Sequence, residues 1–211
     1  MTSHTVHPFR ILLALFGAAL LALHLVPARA ADNESSKDQD ANNAIMLVAK
    51  PDLKDPFYAS TVLIVRPLQN GGHAGFVLNK PTNVTLGQAF PEDEPSQKVR
   101  DPVYLGGPVN ANVIFALVKQ EQSPGEGAME FAKGLFLALA GETVDRVIRE
   151  EPDRARFFAG AVLWRPGELD QELKLGAWYV MDADSDLAIS GDADHLWDKL
   201  VQRSQSHDHS L

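Results

Sequence analysis

The sequence contains no cysteine. Disulfides, thiolate nucleophiles and Cys-ligated zinc are therefore excluded, and stability must come from the apolar core. Positive charge is also scarce: 19 basic residues face 28 acidic ones among 211. Catalytic signatures are missing too, with no G-x-S-x-G, H-E-x-x-H or S-x-x-K pattern. The longest apolar run, Ile11–Val26, is sixteen residues and is interrupted by His24. A helix needs about 20 residues to cross a bilayer, so the run is short for a span.

What stands at the N-terminus reads as an export signal. Met1–Arg10 is free of acidic residues, Ile11–Val26 supplies the apolar core, and Pro27-Ala28-Arg29-Ala30 closes it with an A-x-A pattern. Residues 1–30 are accordingly expected to be cleaved after Ala30, with a periplasmic or secreted product. The alternatives are a retained N-terminal anchor and a cytosolic chain. Cleavage removes two of the basic residues and no acidic one, so the mature charge is 17 − 28 = −11. Such a domain gains nothing from counterion release on DNA, which argues against direct nucleic-acid binding. The remaining 181 residues suit one domain.

Residues 31–43, including DNESSKDQDANN, read as a flexible polar tether. The domain is expected over 44–203, with a disordered tail over 204–211. Within it, Thr61–Val65 and Gly75–Leu78 are apolar runs joined through Asn70-Gly71-Gly72, a hairpin signal. The first run is apolar on both faces, so both should be covered. Ala44–Ala49, Val103–Leu105, Val113–Val118, Arg156–Trp164 and Ala177–Met181 are expected strands. Leu86–Phe90, Glu142–Glu150, Glu168–Leu175 and Ala193–Arg203 are expected helices. Phe131–Leu139 fits either state, and Pro91–Pro102 reads as a surface loop. This irregular alternation points to an α+β fold.

Four segments in order resemble the AlgH/YqgE-like proteins of bacteria: Lys50-Pro51-Asp52-Leu53-Lys54-Asp55-Pro56-Phe57; Gly75-Phe76-Val77-Leu78-Asn79-Lys80-Pro81; Tyr104-Leu105-Gly106-Gly107-Pro108-Val109; and Phe158–Leu173 with Gly176-Ala177-Trp178. The resemblance covers roughly Ile45 to Val201. It implies a single compact α+β domain whose mixed sheet curls into a pseudo-barrel flanked by short helices, and it implies no particular reaction. The family's label is transcriptional and exopolysaccharide regulation, and its members generally look cytosolic. The usual Gly-Tyr-Ala-Gly-Trp of the fourth segment is here Gly160-Ala161-Val162-Leu163-Trp164, lacking a ring and a glycine.

Candidate chemistry gathers at a few places. Asn79 and Lys80 can hold a carboxylate or phosphate, although Asn-Lys-Pro also reads as a strand end. Gly106-Gly107 can expose N–H groups to an anion, or simply make a tight turn. Glu168 and Glu172 share a helix face beside Trp164, where a solvated helix complementing its own dipole is the stronger reading. Asp182–Asp186 opens like a calcium loop, yet Leu187 and Ala193 stand where Gly and Glu are needed. His207 and His209 lie in the terminal tail, and His73 and His195 show no partner. No cofactor or metal is expected. The leading expectation is an exported binding or regulatory module contacting an unknown protein or small ligand, with Asp55, Asn79, Lys80, Gly106, Gly107 and Trp164 as the ligand-binding candidates. The alternatives are a hydrolase-type enzyme built near Asn79, Lys80, Asp55 and the Gly106-Gly107 turn, and a cytosolic transcriptional regulator.

Overall fold

A computed structural model describes residues 44–208. The expected signal segment 1–30, the tether 31–43 and His209 lie outside the described residues. Ten strands form the sheet: β1 (Ile45–Ala49), β2 (Val62–Pro67), β3 (His73–Val77), β4 (Pro81–Thr85), β5 (Pro102–Leu105), β6 (Val109–Lys119), β7 (Ala128–Ala132), β8 (Leu135–Ala138), β9 (Ala155–Trp164) and β10 (Trp178–Asp182). The helices are α1 (Leu86–Ala89), α2 (Glu94–Lys98), α3 (Gly141–Glu150), α4 (Glu168–Lys174), α5 (Ser185–Ile189) and α6 (Leu196–Asp208).

The main path runs β10-β1-β2-β3-β9-β6-β8-β7, antiparallel throughout. Strand β9 is the hinge of the architecture. One edge pairs with β6; the other pairs first with β5, in parallel, at Phe158 and Ala159, then with β3 at Val162–Trp164. Gly160 sits at that change of partner with φ +72°, a conformation that costs an L side chain energy. The sheet curls around this bend into a half-barrel. Its far strand returns toward β2, where the Arg66 guanidinium donates to the Glu130 carbonyl of β7.

Alternation along the strands explains the layers. Val62, Ile64, Phe76, Phe115, Phe131 and Phe158 fill the interior, which α6 closes with Leu196, Leu200 and Val201. The opposite face of β1–β3 carries Leu47, Leu63, Val65 and Val77, covered by the 50–60 loop and α4. Beyond β9, Val144, Val147 and Ile148 of α3 pack on Ala116, Val118 and Phe157. Strand β2 is thus buried on both faces, as its continuous apolar run predicts.

The expected hairpin forms between β2 and β3; in its loop Leu68 N–H donates to the Gly72 carbonyl, only Gly71 has positive φ, and the Asn70 side chain accepts from Gly72 N–H. Other local expectations are resolved or corrected. The segment 91–102 contains α2, because Asp93 caps Ser96 N–H and Pro95 suits the first turn. Phe131–Leu139 resolves into β7 and β8 around Gly134, whose positive φ makes the turn. Asp184, in the stretch that opens like a calcium loop, caps α5 by accepting from the N–H groups of Asp186 and Leu187. Helix α6 continues past Arg203 to Asp208, so residues 204–208 are helical rather than part of a disordered tail. The Ser204 hydroxyl bonds back to the Leu200 carbonyl there. Among the described residues no helix is long and apolar enough to cross a membrane.

Candidate functional site

The 50–60 loop is folded onto the sheet by its own polar residues. Asp55 Oδ1 accepts from the N–H groups of Phe57 (2.8 Å) and Tyr58 (2.9 Å), making a helical turn out of Pro56–Ala59. Asn79, just past β3, reaches across: its Oδ1 accepts from Val62 N–H at 2.8 Å and its Nδ2 donates to the Ser60 carbonyl at 2.9 Å. Ser60 holds a positive φ of 57° at that junction. The amide is spent on backbone that the sheet does not satisfy.

Lys80 lies half-buried beside the same loop. Its ammonium donates to the Phe57 carbonyl and stands 4.6 Å from the centre of the Phe57 ring. Burial pushes this ammonium below the usual lysine range, and the Asp55 carboxylate opposes that shift. Asp55, Asn79 and Lys80 therefore do come together, around Phe57 and Ser60.

Gly106 and Gly107 serve another end. Gly106 N–H donates to the Ala159 carbonyl and its own carbonyl accepts from Val77 N–H, both at 2.9 Å. A Cβ at Gly106 would overlap the Gly160 carbonyl, and one at Gly107 the Ala161 backbone. The pair is a close crossing of β5's exit over β9, with the Gly106 N–H already occupied.

Trp164 belongs to a second cluster. Its indole N–H donates to one Glu172 oxygen and that of Trp178 to the other, each at 3.1 Å. Both indoles are only 6% exposed. This corrects the reading of Glu172 as part of a solvated acidic face; Glu168 does fit it, accepting from Arg165 N–H at 2.7 Å. Tyr58 joins the clusters, edge-on to Trp178 with centroids 6.0 Å apart and to Phe57 at 4.8 Å. Burial raises the Tyr58 phenol above its ordinary range, with the Glu172 and Asp55 charges adding to the effect.

Tyr58, Glu172 and Trp178 were thus missed as members of the constellation. The signal was present in two tryptophans flanking an acidic helix, but which carboxylate faces them depends on how α4 docks. The altered Gly160–Trp164 segment also becomes intelligible. Ala161 faces the interior, while Leu163, at the glycine position of the usual pattern, is 49% exposed and demands no small residue. Elsewhere, His195 is exposed beside Asp192 at 3.0 Å, and His73 Nδ1 is buried without a hydrogen-bond partner.

Asn79→Ala is expected to leave the buried Val62 N–H unpaired and cost about 1–3 kcal/mol. It should also free the 50–60 loop, seen as faster tryptic cleavage after Lys54. Unchanged urea stability and cleavage would refute the clamp.

Comparison with known proteins agrees with this architecture. The model of the AlgH-like family matches residues 46–208. A UPF0301 protein of Chlorobium phaeobacteroides is 29% identical over 173 residues, covering 81% of this chain and 89% of its own. A UPF0301 protein of Thermobifida fusca is 29% identical over 182 residues, covering 81% and 90%. Among solved structures, a Corynebacterium diphtheriae protein superposes with a TM-score of 0.63 at 22% identity, covering 75% of this chain and 85% of its own. The solution structure of AlgH from Pseudomonas aeruginosa gives 0.62 at 22%, covering 79% and 88%. At that identity the likeness speaks for the fold alone.

Proposed function

Since the chain belongs to the AlgH-like family, whose members carry no assigned reaction, we propose that it is an exported member acting by binding rather than by catalysis. One observation carries the reading: the polar groups that would have to converge on a substrate are committed to backbone. Asn79 uses both ends of its amide on Val62 and Ser60, Lys80 donates to Phe57, Asp55 caps Phe57 and Tyr58, and Gly106 N–H bonds Ala159. A general base or nucleophile must be able to reach the reacting atom, and these groups hold the loop instead. The Tyr58 phenol, raised above its usual range, is a poorer nucleophile for it.

Export is supported by the apolar run, its length and the Pro27–Ala30 pattern. The acidic mature charge also favours a role away from the chromosome. The test is the mass and N-terminus of the protein in periplasmic and cytosolic fractions. A product beginning at Ala31 in the periplasm is the expected result; a full-length cytosolic chain would overturn export. Turnover of an ester, phosphate or peptide substrate that Lys80→Ala abolishes would overturn the binding reading.

A further inference from the structure

The chain between β1 and β2 is longer than its ends require. Ala49 N–H donates to the Thr61 carbonyl at 2.9 Å, so the two strands already meet where residues 50–60 leave the sheet. Compact surface loops with closed ends frequently carry function. None of residues 51–60 is fully buried, although Leu47, Leu63 and Val65 beneath them are. Both feet of the loop are tied down. Leu53 N–H bonds the Lys50 carbonyl at 3.0 Å, and Asn79 holds Ser60 and Val62. Between the feet, residues 54–57 form a strap.

Lys80 meets this strap from outside the loop. Its backbone is fixed between β3 and β4, where its carbonyl accepts from Leu105 N–H at 2.8 Å. The strap offers its ammonium three things: the Phe57 carbonyl as acceptor, the Phe57 ring with its centre 4.6 Å away, and the nearby Asp55 charge. Lys80 has no carboxylate within ion-pair distance among the described residues. Asp55 is not a fixed counter-ion, because its Oδ1 is turned to the N–H groups of Phe57 and Tyr58 and it rides on the strap. When the strap lifts, carboxylate, carbonyl and ring leave together. The ammonium stays on the sheet.

We infer that Lys80 is a receptor for an aromatic carboxylate, and that residues 55–57 occupy it as the protein's own stand-in. Resting on the binding reading above, this names the ligand's class. A ligand that displaces the strap must replace what the strap supplies, an anionic oxygen for the ammonium and a ring face for the cation. A carboxylate improves on the Phe57 carbonyl, because charge-assisted hydrogen bonds are roughly twice as strong as neutral ones. Asp55 does not repel it, since that charge departs with the strap. An inorganic anion brings no ring, and a neutral arene brings no charge. The strap competes as an intramolecular ligand whose effective concentration a free molecule must exceed. The contact is therefore autoinhibitory.

Protein purified from cells expressing the full chain is titrated calorimetrically with N-acetylphenylalanine and with its amide. The acid should bind, and the amide at least about tenfold more weakly, the loss of one charge-assisted hydrogen bond. Phe57→Ala removes the competing ring and should tighten the acid about threefold or more. Lys80→Met should abolish the preference for acid over amide, and Lys80→Arg, which keeps the cation, should retain it. All three variants should keep the native circular dichroism spectrum. In the parent, the acid should also speed tryptic cleavage after Lys54 as the strap lifts. A peptide ending in a free C-terminal phenylalanine is the second arm. Tighter binding than the small acid assigns the carboxylate to a chain end, and weaker binding to a small molecule.

Acid and amide binding alike, or neither binding to the parent or to Phe57→Ala, overturns the receptor and leaves the binding reading standing. Acid binding that Lys80→Met does not weaken, or that leaves cleavage after Lys54 unchanged, overturns this location. An acid held no more tightly by Phe57→Ala than by the parent overturns the autoinhibition. Hydrolysis of the amide that Lys80→Met abolishes would overturn the binding reading as well.

Discussion

Gly160→Ala is expected to be the most damaging single-methyl change in the protein. The residue holds φ +72° where β9 exchanges β5 for β3, and an L side chain in that region costs about 1–2 kcal/mol. A Cβ there would also overlap the Gly107 carbonyl, lie 2.9 Å from the Val109 carbonyl and 3.1 Å from Ala111 Cα. These are backbone atoms of β6 and of the link that leads into it, so no rotamer change relieves the clash. Overpacking of this kind adds about 1–3 kcal/mol, for a combined loss of about 2–5 kcal/mol. Against a total of about 5–15 kcal/mol that is a large share. Urea denaturation should show a lower midpoint with an unchanged slope. Because Gly107 and Gly160 press on each other, adding Gly107→Ala should cost less than the sum of the two single changes. Additive losses, or a Gly160→Ala midpoint equal to the parent's, would refute the crossing as a close contact.

Glu172→Ala carries the second largest effect. The carboxylate is the shared acceptor of two buried indoles, and each N–H left unpaired costs about 1–3 kcal/mol. The expected loss is about 2–5 kcal/mol, allowing for water entering the space the side chain vacates. Tryptophan emission should shift to the red as the two rings meet solvent. Glu172→Gln keeps one acceptor oxygen and should fall between. It also separates charge from burial at Tyr58. Burial is the first cause of the raised phenol and Glu172 the second, so the charge-neutral variant should titrate lower than the parent yet still above the ordinary tyrosine value.

The sign of the linked pH dependence follows. A phenol whose folded pKa lies above its unfolded one contributes stability that is complete below about pH 10 and is lost as pH rises through the folded pKa. Glu172→Gln should therefore lose less of its remaining stability between neutral and alkaline pH than the parent does. Absorbance at the phenolate band, followed alongside denaturation midpoints, checks both. A Tyr58 titration unmoved by the substitution would mean that the charge does not act on the ring.

Strands β1, β2, β3 and β9 were legible because they are apolar runs of strand length bounded by Gly, Asn or Pro, whereas β4, polar and mostly exposed, begins at the Pro81 that reads as a strand end. Helix α3 was legible from Val144, Val147 and Ile148 on one face. Less legible were the short helices α2 and α5, too brief for a period and made by single caps, Asp93 and Asp184. The family, too, was within reach of the chain alone, since four ordered motifs survive even where individual residues have drifted.

Composition, strand pattern and motif order are properties of neighbours along the chain, and these determined an acidic, cysteine-free α+β domain of the AlgH-like family. The roles of its polar residues depend on partners far away in sequence, and only the tertiary structure decided those. Asn79 binds Val62 and Ser60, seventeen and nineteen positions off; Gly107 is small because Ala161 passes against it. Glu172 is an acceptor because α4 docks it between two strands' tryptophans. A hydrogen bond acts over about 3 Å and a methyl clash over less. Which groups meet at that range is fixed by how the sheet curls, and local pattern carries no record of it.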